Sequence, residues 1–431
     1  MVHFCVRNSK FRNGSVAQSV EQLPLKQLVA GSSPARPTIV NLLYFMQTKN
    51  QIFRILFYVA VALFLRFVIV GRLLEGTEIW WLQSIAIILV FGIGIVYVFR
   101  GTAKVIEETT DVLKDRTKLA GGFLQSFGTA FPDMIIGVMA AVLSLQVVGT
   151  DYARAIDLAI IAASATFGSN IYNILHAVWC VYRQNLANSE RKSVLMFPGL
   201  KIGGSLKPTD EHEVKPSSIE MDGAIRVLTV LTMLTAFVAI TMVVFGQVKG
   251  VEDKIQGDLY QLILPVGIIL FIICVSVLYY FRESRHPESP IKEIVEKKRY
   301  YDEQGTWRIW LDLVLSGVAI LFAAESMVRC MEVFSNLTHI PFVFTGIMAG
   351  LIGCFGEMLV VHNFSIHPKG RIGDAILGVA MDNIVTTLGA SIVAIMGGIF
   401  LGGNSLILIF IIILTANTLL IEQISKLKNS L

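Results

Sequence analysis

The feature that most constrains this chain is a succession of apolar stretches, each about as long as a bilayer is thick. Ten stand out, at about 54–73, 79–113, 119–146, 153–184, 223–247, 259–281, 307–334, 341–363, 373–400 and 404–423. A helix needs about 20 apolar residues to cross the hydrocarbon core, and these runs are near or above that length. The connectors between them are short and rich in lysine. Hydrophobic residues are 54% of the 431 and charged residues only 16%, with mean hydropathy +0.66. That leaves too little polar surface to cover a soluble domain. The predicted fold class is all-α: a polytopic helical membrane protein with about ten transmembrane helices.

Basic residues sort the connectors into two sides. Lys49, Arg54, Lys104, Lys114, Arg116, Lys118, Arg183, Arg191, Lys192, Lys201, Lys207 and Lys215 fall on one, followed by Arg282, Arg285, Lys292, Lys297, Lys298, Arg299, Lys369, Arg371, Lys426 and Lys428. The other side holds little beyond Arg72, Arg154, Lys249 and Lys254. The positive-inside rule then predicts a multi-pass protein of the plasma (inner) membrane with both termini cytoplasmic. The net charge of +4 reports this topology and implies no nucleic-acid partner; the expected partners are the lipid bilayer and inorganic cations. Five cysteines without paired spacing read as buried small hydrophobes. Residues 1–45 lack an apolar stripe and resemble an out-of-frame translation of a tRNA gene. The expected start is Met46, with a genuine disordered tail as the alternative; peptides found upstream of Met46 by mass spectrometry of the native protein would overturn the first reading.

Ionisable residues inside spans carry the chemistry, because each is costly unless paired or wet. In the third span, Gly128 and Pro132 precede Asp133, about halfway along it. Proline removes a helical N–H and clashes with the preceding turn, so the helix is predicted to break or kink there, with Gly128 allowing unwound backbone and free carbonyls beside Asp133. Free carbonyls and a carboxylate at mid-membrane suit a hard cation. The eighth span places Gly350, Gly353 and Gly356 before Glu357, which predicts a second, weaker break. Each acidic helix is followed by a polar one: Ser169, Asn170 and Asn173 in the fourth span, Asp382, Asn383 and Thr386 in the ninth. Given twice, in helices running in opposite directions, this order predicts an inverted repeat. Glu325, in the seventh span, either lines the pathway or packs on a polar partner; Arg66 snorkels or pairs with an acid; His176 and His362 are expected to be satisfied within the bundle or near an interface.

These residues resemble the calcium:cation antiporter superfamily. FGTAFPDMIIGVMAA (127–141) is similar to its first acidic motif, Gly-Thr-Ser-Leu-Pro-Glu, with Asp133 in the acidic position. FGSNIYNIL (167–175) resembles the paired Gly-Ser-Asn-x-x-Asn motif. In the second half, GCFGEM (353–358) keeps Glu357 without the Thr, Ser and Pro, and AMDNIVTTL (380–388) has Asp382 in the serine position. The resemblance spans about 80–423. It implies Asp133 and Glu357 as divalent-cation carboxylates, a backbone carbonyl from Thr129, and side-chain ligands from Ser169 and Asn173. Asp382 becomes a third carboxylate, able to carry a proton or favour a different metal. Asn170, Asn383, Thr386 and Glu325 are secondary candidates. Ala130 and Cys354 replace the hydroxyls or amides that help hold sodium, which puts a standard sodium stoichiometry in doubt.

The implied organisation is an extra leading helix at 46–78, a first exchanger repeat at 79–281, a cytoplasmic linker at 282–306 and a second repeat at 307–431 that lacks its last helix. The loops at 185–222 and 282–306 read as polar linkers. The implied activity is not enzymatic and uses no cofactor: secondary active exchange of a divalent cation, Ca2+ foremost, for Na+ or H+ by alternating access. Two alternatives stay open, a non-transporting scaffold or sensor built on the same fold, and an intramembrane enzyme using an acid dyad.

Overall fold

The computed structural model describes residues 51–117, 121–213, 215–248, 258–281, 300–367 and 372–430. The expectation for residues 1–45 lies outside them, as do Cys5 and most of the 282–306 linker. Among the described residues ten helices carry the fold. α1 is α-helical over Gln51–Phe64 and π-helical over Leu65–Leu74; α2 joins Trp80–Leu89, a π-helical Val90–Phe99 and Arg100–Thr117. They are followed by α3 (Gly121–Val147), α4 (Tyr152–Glu190), α5 (Ser218–Phe245), α6 (Leu264–Phe281), α7 (Thr306–Thr338), α8 (Phe342–Ile366), α9 (Ile372–Ile395) and α10 (Gly403–Asn429). Among the described residues nine are long and apolar enough to cross a membrane, and α6 contributes a shorter apolar stretch, Leu264–Tyr280. The protein is a multi-pass helical membrane protein, and its segments match the ten read from hydropathy.

The packing is that of an inverted repeat. Exchanging α2 with α7, α3 with α8, α4 with α9 and α5 with α10 carries the main contacts into one another. The α3–α9 contact becomes α8–α4, and α5–α9 becomes α10–α4. The α2–α7, α3–α8 and α5–α10 contacts map onto themselves. Directions agree as well. Gly346 lies against Ser164, Gly350 against Ser169 and Asn173 against Glu357, so α8 runs parallel to α4. Gly389 meets Met134 and Gly398 meets Ala141, so α9 runs parallel to α3. α6 packs on α9, and among the described residues nothing plays its part on α4.

Two predicted helix breaks are corrected. α3 is continuous from Gly121 to Val147 with Pro132 inside it, and α8 is continuous from Phe342 to Ile366. In a continuous helix the Thr129 carbonyl faces the N–H of Asp133, and the carbonyl that proline leaves unpaired is that of Gly128. The glycines of α8 serve close packing. A Cβ at Gly350 would stand 2.5 Å from the Ala165 carbonyl oxygen and the Ser169 nitrogen, and one at Gly346 would stand 2.6 Å from Ser164 Cβ. Facing glycines, alanines and serines let two helices approach to backbone contact, which supplies the dispersion energy that holds helices together in lipid. α4 and α8 accordingly share the largest interface in the bundle.

A third correction concerns the 185–222 connector. It is not a bare linker: β1 (Val194–Phe197) and β2 (Leu200–Leu206) pair antiparallel around Pro198-Gly199, and Gly199 takes the positive φ (+77°) that the turn demands. A second short ladder, β3 (Leu259–Gln261) with β4 (Phe400–Gly402), ties the segment before α6 to the start of α10.

Gly350→Ala should lower the thermal midpoint in detergent, because overpacking a tight seam costs about 1–3 kcal/mol. Gly356→Ala, with nothing within 4 Å of its added carbon, should leave that midpoint unchanged or slightly higher. Equal losses would contradict the packing role.

Candidate functional site

Near the middle of the bundle, α3, α4, α8 and α9 each turn a polar residue inward. Asp133, Ser169, Asn170, Asn173, Glu357, Asp382, Asn383 and Thr386 are all buried, with Asp133 at 2% and Glu357 at 6% exposure. The small-residue seam explains the gathering. Gly353 has no side chain because Asp133 lies directly over it, its Cα 3.0 Å from where a Cβ would sit. The two acids therefore come from opposite repeats and face one another across α3 and α8, within each other's electrostatic field and that of Asp382.

Hydrogen bonding in this cluster is unbalanced. Asn173 Nδ2 donates to Glu357 Oε2, and lies 3.5 Å from Asn383 Oδ1. The amide orientation follows from chemistry, since an ionised carboxylate only accepts. The Ser169 hydroxyl lies beside Asp133 but donates to the Thr166 carbonyl (2.9 Å), and Thr386 Oγ1 donates to the Asp382 carbonyl (3.0 Å). What remains is five buried oxygens without a hydrogen-bond donor, both of Asp133, Oε1 of Glu357, and the amide oxygens of Asn170 and Asn173, against one unpaired buried donor, Asn383 Nδ2. Leaving such acceptors unsatisfied in a low-dielectric interior costs on the order of 1–3 kcal/mol each, more when charged. Two neighbouring carboxylates add repulsion. A small positive charge among these oxygens answers both.

The set is a hard-ligand one. Among the described residues, no three His, Cys, Asp or Glu side chains gather into a metal-holding cluster. Anionic charge comes from the acids, and neutral amides supply the remaining oxygens, the pattern suited to alkaline-earth and alkali cations rather than zinc. Asp133 and Glu357 do not hydrogen-bond to each other, as an acid dyad sharing one proton would. Thr129 sits on the same helix one turn before Asp133; its side chain lies outside the described residues.

Glu325 is not part of this site. It accepts from Arg66 Nε at 2.7 Å and Arg329 Nε at 3.2 Å, and Arg329 also pairs with Glu75. Four charges thus fasten α1 to α7, the polar-partner alternative for Glu325, and Arg66 pairs with an acid as one of its two readings held. Arg154 on α4 bonds Glu332 on α7 through both Nε (2.5 Å) and Nη2 (3.0 Å). The four described cysteines, Cys180, Cys274, Cys330 and Cys354, are free and buried. His176 and His362, read from the sequence as satisfied within the bundle or near an interface, stack on each other with centroids 5.9 Å apart just beyond Asn173 and Glu357, a pairing the sequence reading did not foresee.

No protein-family profile and no curated protein matches the sequence. Among solved structures, native YfkE is similar in fold: TM-score 0.50, 12% identity, over 87% of this chain and 96% of that one. The sodium-calcium exchanger NCX_Mj, soaked with Na+ and Sr2+, aligns over 77% of this chain and 90% of its own at 13% identity, with a TM-score of 0.39. At 12% identity the likeness to YfkE is one of fold.

Glu325→Gln should destabilise the protein by roughly 1–3 kcal/mol, between the values for exposed and fully buried pairs, while divalent-cation affinity stays unchanged. Thermal unfolding and calorimetric titration check the two halves; a large affinity loss would return Glu325 to the site.

Proposed function

We propose that this chain is a secondary active transporter that exchanges a divalent cation, Ca2+ foremost, for Na+ or H+ by alternating access. The observation that carries the reading is the set of five unpaired buried oxygens around Asp133 and Glu357. Ca2+ takes about 6–8 oxygen ligands in flexible geometry, and two carboxylates cancel its charge. Asn173 holds one Glu357 oxygen by its amide nitrogen and leaves the other free to bind. Asn170 and Asn173 add neutral oxygens, and Ser169 supplies a hydroxyl oxygen whose own proton is already engaged. Thr129 contributes through its carbonyl only if α3 unwinds there during transport.

The inverted packing supports alternating access, because two repeats related by a twofold can rock around a site on their interface. Asp382 gives a third acid, a natural carrier for a proton as counter-ion. The connector charges favour a plasma (inner) membrane orientation with both termini cytoplasmic. The organisation that fits is a leading helix α1, a first repeat α2–α6 and a second repeat α7–α10.

In proteoliposomes under imposed Na+ or H+ gradients, 45Ca2+ uptake should fall to background in Asp133→Asn and in Glu357→Gln, made separately. Asn173→Ala should weaken apparent affinity about tenfold, the value of one hydrogen bond to a charged group. Uptake that survives both acid substitutions would refute the proposal; a folded wild type without uptake under either gradient would favour the scaffold alternative.

A further inference from the structure

Beyond the carboxylates, toward the end of the bundle that carries the lysine- and arginine-rich connectors, α4 and α8 continue side by side. The space between them is filled by rings. His176, three residues past Asn173 on α4, stacks on His362 of α8 at 5.9 Å with planes 18° apart. The other neighbour of His362 is Phe197, 5.7 Å away and also 18° from parallel. The His176 ring also faces the carbonyl of Met358, next to Glu357 in the chain. The column thus begins one helical turn from the site and ends at the hairpin.

Phe197 closes β1, immediately before the Pro198-Gly199 turn. The hairpin is held to α4 by its backbone. Trp179 Nε1 donates to Met196 O (3.0 Å), Arg183 donates to Leu195 O through Nε (3.0 Å) and Nη2 (2.5 Å), and Gln184 Nε2 donates to Lys207 O (2.8 Å). Toward α8 the contacts change character. Gly203 lies under the Phe197 ring, and Gly204, at φ +74°, abuts Ile366 of α8 with no polar bond between them. Polar anchors on α4 and apolar contact on α8 make a hinge on one side and a releasable face on the other. A two-stranded hairpin has little stability of its own, so its pose depends on those contacts.

We propose that the hairpin β1–β2 is a gate, with Phe197 as its latch: the Phe197–His362–His176 column bars the route between the carboxylate site and water at the basic face. This rests on the transport reading for its purpose, though not for its test. Opening swings Phe197 off His362 while the α4 anchors persist, and the two imidazoles then line a wet passage to Glu357.

Cys354 supplies a probe that needs no cation. It is fully buried on α8 and close to both Asp133 and Glu357. With the other four cysteines replaced by serine or alanine, its labelling by a small, membrane-impermeant methanethiosulfonate is timed in vesicles of each orientation. From the basic face, labelling should be slow in this background and about tenfold faster in Phe197→Ala and in His362→Ala, since the rate follows the open population. Phe197→Tyr, which keeps the ring, should stay slow, and the rate from the opposite face should not change. Unchanged rates in Phe197→Ala, fast labelling of the background, or equal acceleration from both faces would each overturn the gate. Gate-dependent labelling in a protein that moves no cation would remove the exchange reading and leave the barrier standing.

Discussion

Everything in the centre of this bundle depends on how closely α8 lies on α3 and α4. In lipid, apolar side chains gain little by exchanging hydrocarbon for one another, so helices associate through dispersion contact, and contact is greatest where side chains are smallest. Gly346, Gly350 and Gly353 provide that surface against Ser164, Ala165, Ser169 and Asp133. The same approach brings Asn173 onto Glu357 and stands Asp133 over a residue with no side chain. Stability and site share one cause: the seam that packs the repeats together is the seam that forces two buried acids into the same space.

That coupling is costly, and the structure offsets the cost unevenly. Several charges away from the centre are answered by opposite charges: Arg66 and Arg329 by Glu325 and Glu75, and Arg154 by Glu332. At the centre the balance is incomplete, with unpaired acceptors outnumbering unpaired donors. The proposed cation role needs such a deficit, because a site fully satisfied by its own protein has no use for a cargo. The outer ion pairs then act as fasteners, α1 to α7 and α7 to α4, while the hairpin closes the opposite end with rings instead of charges.

Much of this was legible in the sequence, and the failures have physical reasons. The spans were readable because length and hydropathy are set by the bilayer itself. Asp133, Glu357 and the polar residues of α4 and α9 were readable because polar groups inside spans are too costly to be incidental. The glycines of α8 were misread as a break, since glycine serves unwinding and close packing equally well. The four-residue spacing of Gly346 and Gly350 was the sign that separates the two. Pro132 was expected to break or kink α3, yet α3 runs on through it, since one missing N–H is tolerated where neighbouring helices hold the backbone. The hairpin was passed over inside a polar connector, although Pro198-Gly199 between two short apolar runs is a turn with a mechanism. The pairing of Glu325 with Arg66 spans more than two hundred and fifty residues between α1 and α7, and no local pattern announces it, whereas its i,i+4 partner Arg329 on α7 was the local sign that Glu325 packs on a charge.

The central claim is that Asp133 and Glu357 jointly hold one cation. Calorimetric titration of purified, detergent-solubilised protein with Ca2+ tests it without requiring flux. The account predicts one divalent site per chain in the wild type, lost in Asp133→Asn and in Glu357→Gln, with thermal unfolding showing that both variants remain folded. A wild type that binds no divalent cation, or variants that bind it undiminished, would contradict the account.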